Sequence, residues 1–184
     1  LKEIVQVAFG KIEELYEKKE AITGVATGFD KFDQMTAGFQ PGDLVIVAGR
    51  PSMGKTALAL NMAQYASVKK QVPTAIFSLE MSKEQLVMRM LCTEGRIRGD
   101  RMRGGFLKDS DWPKLARACG NLAEAPMYID DTGALNILEM RTKCRRLQQQ
   151  HGLGLIVVDY LQLMHGRGGG EGREREISEI SRGL

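Results

Sequence analysis

Eight residues constrain this chain more than any others: Gly49-Arg50-Pro51-Ser52-Met53-Gly54-Lys55-Thr56. Their spacing, G-x-x-x-x-G-K-T, is that of a loop that wraps its backbone around phosphate. The context agrees with the letters. Leu44-Val45-Ile46-Val47-Ala48 precedes the loop, an apolar run suited to a strand buried on both faces. Ala57-Leu58-Ala59-Leu60-Asn61-Met62-Ala63 follows it and is rich in helix formers. A strand, a tight turn and a helix start gather several N–H groups around one point, where the helix dipole also favours an anion. Gly49 and Gly54 keep Cβ atoms out of the way. The reading is that Gly49, Arg50, Pro51, Ser52, Met53, Gly54, Lys55, Thr56 and Ala57 hold a nucleoside triphosphate. Lys55 is expected to reach the β- and γ-phosphates, and the Thr56 hydroxyl to bind Mg²⁺.

The remaining apolar runs extend this to an α/β fold. Thr74-Ala75-Ile76-Phe77-Ser78-Leu79, Met127-Tyr128-Ile129-Asp130 and Leu155-Ile156-Val157-Val158-Asp159 read as further buried strands, alternating with helical stretches. Ser82 with Gln85 forms a capping box for the helix after the first of these, and Asn136 caps the helix before the last. With 184 residues, one domain with a sizeable core is expected.

Two acids end these runs. In an α/β sheet the carboxyl ends of the strands face the ligand crevice. Glu80 follows one run there, either as a solvated cap or as the carboxylate that orients and deprotonates an attacking water; the phosphate loop one unit earlier favours the second. Asp159 ends another, the pattern of a Walker B acid that holds Mg²⁺ with Thr56. Gln162 follows three residues later, within reach of a γ-phosphate.

Other segments are less specific. Residues 1–19 read as an amphipathic helix, with Val5, Ala8, Phe9, Ile12, Leu15 and Tyr16 on one stripe. That stripe packs either on its own core or on a neighbouring subunit, and Lys18-Lys19-Glu20 and Thr23-Gly24 look like a linker. A short helix after Thr27-Gly28-Phe29-Asp30 is expected to turn Phe29, Phe32 and Met35 inward, and Trp112 is assigned to the core. Four arginines lie between Arg96 and Arg103; a solvated loop is favoured there over a phosphate-binding patch because Asp100 interrupts them and no aromatic interleaves. Arg141, Lys143, Arg145 and Arg146 are placed on a wet helix face. Residues 166–172 form a Gly-rich loop.

Composition excludes some classes. The formal net charge is +3, so any nucleic-acid surface must be local. No apolar run approaches the roughly 20 residues of a membrane span. The start of the chain, with Lys2 and Glu3, does not read as a secretory leader. Cys92, Cys119 and Cys144 stand far apart, which fits a reduced cytosolic protein and not a zinc site.

Several motifs together resemble the bacterial replicative DNA helicases of the DnaB family, whose motor domain has the RecA-like fold. The matching pieces are Thr27-Gly28-Phe29-Asp30, residues 49–56, Phe77-Ser78-Leu79-Glu80-Met81-Ser82, Asp159-Tyr160-Leu161-Gln162-Leu163-Met164, and residues 176–184. The resemblance implies a RecA-like P-loop NTPase core over residues 23–184, incomplete at its carboxy end, behind a linker helix at 1–22 that docks on the next subunit of a hexameric ring. It implies Glu80, Lys55 and Gln162 as catalytic residues, Gln162 linking γ-phosphate to DNA contact. Asp159 becomes the acid associated with Mg²⁺. Arg167, Gly168, Gly169, Gly170 and Arg173 belong to a channel loop beside single-stranded DNA. ATP and Mg²⁺ are the implied cofactors. The implied partners are single-stranded DNA, further copies of the chain, a primase and a helicase loader, in a bacterial cytoplasm at the nucleoid. A further core strand and an arginine finger in trans are expected beyond Leu184, so the chain alone is expected to be inactive. The alternatives are a recombination or repair ATPase of the RecA/RadA kind and a non-catalytic nucleotide-binding assembly module.

Overall fold

Thr74-Ala75-Ile76-Phe77-Ser78 has no exposed residue, and it forms the middle strand of the sheet. The computed structural model describes residues 1–18, 22–133 and 135–161. The order of elements is α1 (Lys2–Lys18), α2 (Asp30–Thr36), α3 (Lys55–Gln64), a π-helical turn (Tyr65–Lys69), β1 (Thr74–Ser78), α4 (Lys83–Gly95), α5 (Gly99–Gly104), a 3₁₀ turn (Asp109–Asp111), α6 (Trp112–Glu124), β2 (Met127–Asp130), α7 (Ile137–His151) and β3 (Leu155–Asp159). The described strands are all parallel, in the order β2-β1-β3. Strands so placed need apolar residues on both faces. Ala75 and Phe77 pack towards α7 with Leu135, Met140, Leu147 and Val158. Ile76 packs the other way, with Leu60 and Ala63 of α3 and Leu86 and Met90 of α4.

The β1–β3 register pairs Ser78 with Asp159, so both strands finish at one level. The capping box at Ser82–Gln85 and the Asn136 cap are present as expected, and Glu139 completes a second box with Asn136. Glu94 ties three helices on one side of the sheet, accepting from Gln64, Lys69 and Asn121. Burial by itself would raise its pKa; the bonds from Asn121, Lys69 and Gln64 outweigh that and leave it below the usual carboxylate value.

Residues 44–48 depart from expectation, for they form no strand. Leu44, Val45, Ile46 and Val47 are 52%, 48%, 66% and 41% exposed. They pair neither with Leu155–Asp159 nor with any other described residue, and a β-suited run becomes a strand only through a ladder partner. The outer edge of β3 likewise carries no described strand.

Helix α2 is rotated from its expected setting. Phe29, Phe32 and Met35 are 40%, 36% and 86% exposed, and Asp33 is buried. The Asp33 carboxylate accepts from the Thr27 N–H, the Thr27 hydroxyl at 2.6 Å and the Gly28 N–H. That cluster, more demanding than an apolar contact, fixes which face turns in. Phe32 meets Phe39 edge-on at 5.8 Å. Gly28 holds φ at +84°, and a Cβ there would lie 2.5 Å from Cγ of Tyr65. Gly28→Ala is therefore expected to cost about 2–5 kcal/mol, combining a left-handed backbone with overpacking. Thermal unfolding of the intact protein checks this, with a Tm fall of several degrees expected.

Two further expectations are corrected. Trp112 is 59% exposed at the start of α6, because Asp111 takes the inward position, held by the Lys108 N–H and by Arg101. The arginine-rich stretch is helical at α5, with Arg98 paired to Asp100 and Arg101 to Asp111. On α7, Lys143 is half-buried and pairs with Asp130, while Arg141, Arg145 and Arg146 are exposed as expected.

Candidate functional site

Residues 49–54 turn sharply into α3. Gly54, the residue before the helix, sits at φ +88° and ψ 21°, a conformation that glycine adopts without penalty. Ser52 is also left-handed, at φ +63°. The Met53 N–H donates to the Arg50 carbonyl at 3.3 Å and closes the turn. The first N–H groups of a helix have no partner inside it, and no side chain caps α3. These donors and the helix dipole make an anion site. Lys55 Nζ lies back across the loop and donates to the Gly49 carbonyl at 3.0 Å. It is also 6.0 Å from the centroid of Tyr160, just past the end of β3. The loop lysine thus already stands over the carboxyl end of the sheet. Arg50, Pro51, Ser52, Met53 and Ala57 are exposed around it.

Thr56 and Asp159, 103 residues apart in sequence, line one narrow cleft with Ser78, Ile76, Leu60 and Val157. Oδ2 of Asp159 is buried and accepts no hydrogen bond from the described residues. A buried carboxylate oxygen left without a donor is costly. A cation beside it removes that cost, and a hydroxyl with a carboxylate is a hard-oxygen set suited to Mg²⁺. The residues present therefore fit the divalent metal that their sequence pattern implied.

Glu80 lies two residues beyond β1, at the level where β1 and β3 finish. The Leu79 N–H donates to the Asp159 carbonyl at 2.8 Å, which extends the ladder to the residue before Glu80. The Glu80 side chain is exposed and has no ion-pair or hydrogen-bond partner among the described residues.

The fold thus brings Thr56 and Asp159 into one cleft, sets Lys55 near Tyr160 past the end of β3, and puts Glu80 two residues beyond β1 at the same end of the sheet. Gln162, Arg167, Gly168, Gly169, Gly170 and Arg173 lie outside the described residues. Ser78 was missed in the sequence; its only signal there was a small polar residue ending an apolar strand. A wider cleft between α7 and β2, lined by Tyr128, Asp130, Lys143, Arg146 and His151, opens on the opposite face of the sheet and holds none of the expected site residues.

The comparisons with known proteins follow the same lines. The chain is 52% identical to the replicative DNA helicase DnaC of Bacillus subtilis (strain 168), and 53% identical to the replicative DNA helicase DnaB of Geobacillus stearothermophilus. Both matches cover 100% of this chain but 41% of the relative, so the chain spans about two-fifths of the curated relatives' length. Among solved structures, one described as an ATPase domain superimposes with a TM-score of 0.90 at 33% identity, covering 98% of this chain and 65% of that one. A DnaB-like replicative helicase, from a structure describing its interactions with primase, superimposes at 0.88 with 32% identity, covering 97% of this chain and 43% of that one. These neighbours bear out the expected RecA-like ATPase fold, a parallel sheet flanked by helices. The family described as the DnaB-like helicase C-terminal domain matches residues 24–184, and this chain belongs to it.

Proposed function

We propose that this chain is the ATP-hydrolysing motor of a replicative DNA helicase. The observation that carries the reading is the buried Asp159 oxygen in one cleft with Thr56, beside the start of α3, neither of them given a side-chain partner by the described residues. The N–H groups at that start bind the phosphates of ATP. Lys55 exchanges the neutral Gly49 carbonyl for phosphate oxygens, a stronger, charge-assisted bond. Thr56 and Asp159 hold Mg²⁺, which when bound neutralises phosphate charge. Glu80 accepts a proton from the water that attacks the γ-phosphorus. The new P–O bond forms as the bond to the bridging oxygen breaks, releasing ADP and phosphate.

Gln162 couples the γ-phosphate to DNA, and the loop carrying Arg167, Gly168, Gly169, Gly170 and Arg173 follows one strand. The setting is a hexameric ring that engages primase and a loader in a bacterial cytoplasm, at the nucleoid. Among the described residues, no helix is long and apolar enough to cross a membrane. ATP hydrolysis by the intact protein, stimulated by single-stranded DNA, and unwinding of a forked duplex test the reading. Tight nucleotide binding without turnover would overturn it in favour of an assembly module.

Helix α1 belongs to the same reading. Ile4, Val5, Val7, Phe9 and Ile12 are 70%, 55%, 63%, 61% and 60% exposed. They find no cover among the described residues, and residues 1–22 serve as a linker helix docking on the next subunit, ahead of a motor core from residue 23. Burying Phe9 or Ile12 there contributes roughly 1.5–3 kcal/mol each. Phe9→Asp with Ile12→Asp should weaken each subunit contact by about a hundredfold or more. Sedimentation velocity is expected to show rings replaced by smaller species; intact rings at micromolar protein would show that α1 docks elsewhere.

A further inference from the structure

Among the described residues, the Glu80 side chain makes no hydrogen bond or ion pair that would fix its own position. Its place is set by the backbone between the end of β1 and the start of α4. On one side the ladder ends with the Leu79 N–H on the Asp159 carbonyl. On the other, α4 is anchored by the Ser82–Gln85 capping box and by the Lys83 N–H, which donates to Oδ2 of Asp131 at 3.0 Å. Between these anchors lie Leu79, Glu80 and Met81, and one side chain spans them. Oγ of Ser78 donates to the Met81 carbonyl at 2.7 Å and accepts from the Met81 N–H at 3.2 Å. A single hydroxyl closes the turn through both polar groups of one residue. Ser78 is 1% exposed and lines the Thr56–Asp159 cleft.

We infer that Ser78 is a positioning residue for ATP hydrolysis, which clamps the turn bearing Glu80 so that its carboxylate is aimed at the attacking water. The inference rests on Glu80 being the base. Ser78 sits where strand pairing ends, so its hydroxyl carries the order of the sheet two residues further, to Glu80. Without it, residues 79–81 keep their end anchors but gain freedom between them. Displacing a catalytic group by about 1 Å costs on the order of a hundredfold in rate. Nucleotide binding depends on the loop, α3 and Asp159; the Ser78 hydroxyl shares their cleft but spends its hydrogen bonds on Met81.

The test is a double-mutant cycle on ATP hydrolysis by the intact protein, using Ser78→Ala, Glu80→Gln and the pair, with a fluorescent ATP analogue to read binding. Ser78→Ala is expected to lower kcat by about 10- to 100-fold, with the affinity for the analogue unchanged within about twofold. In the Glu80→Gln background the same change is expected to have almost no effect, because there is no base left to aim. Ser78→Thr, which keeps the hydroxyl, should restore most of kcat. Three results would overturn the clamp: an undiminished kcat in Ser78→Ala, an equal fall in both backgrounds, or a loss of analogue binding. Unimpaired turnover in Glu80→Gln alone would remove the base itself, which the cycle reports separately.

Discussion

Lys55→Ala is expected to lower kcat/KM for ATP by at least about 10²–10³-fold, equivalent to about 2.7–4 kcal/mol of lost transition-state stabilisation. The loop's other charged residue is Arg50, which is exposed where the Met53 N–H closes the turn onto its carbonyl. On the proposed reading, backbone N–H groups supply direction and Lys55 the full positive charge that follows negative charge onto the oxygens of the leaving and transferring phosphates. Its position supports this. Nζ has only the Gly49 carbonyl as a hydrogen-bond partner, and no carboxylate competes for it among the described residues. Lys55→Arg should also be impaired, because a planar fork does not replace a compact ammonium between a carbonyl and a phosphate. Folding should change little, since Lys55 stands at the first position of α3 and is only half-buried. Phosphate release and nucleotide binding, each measured on the intact protein, check this. Hydrolysis at the wild-type rate would sink the phosphate-loop assignment.

What could be read from the sequence was what is local. β1 and β3 are short apolar runs whose ends are marked by Ser78 and Asp159, and the structure places them within a residue of expectation. Cap chemistry is local too, so Ser82 with Gln85 and the Asn136 cap were readable. Gly54 is set by the backbone of a single turn. What could not be read depends on partners distant in sequence. Residues 44–48 have a strand's composition, but a ladder needs a neighbour. Trp112 looked like core until Arg101 claimed Asp111 and turned the start of α6 outward. Phe29 and Phe32 were displaced by the demand of one buried carboxylate, Asp33. Ser78 shows the same limit at the site, since its role lies in two bonds to a backbone three residues on.

Glu80→Gln should separate binding from chemistry. The amide keeps the size and shape of the side chain and removes its ability to take a proton. Because Glu80 is exposed and holds no partner among the described residues, its loss should not disturb the fold, and the Tm should stay within about a degree. Because it lies beyond the phosphate loop and outside the Thr56–Asp159 cleft lining, ATP affinity should be retained. General-base catalysis contributes about 10²–10⁴-fold, so kcat is expected to fall by at least a hundredfold while KM changes little. The opposite pattern is expected for Asp159, whose buried oxygen is proposed to hold the metal, so the two carboxylates at the ends of neighbouring strands are expected to have separable roles. Single-turnover hydrolysis beside equilibrium binding of ATP distinguishes them. If Glu80→Gln lost nucleotide affinity in proportion to turnover, Glu80 would hold the phosphates or their metal, and the proton would have to leave by another route.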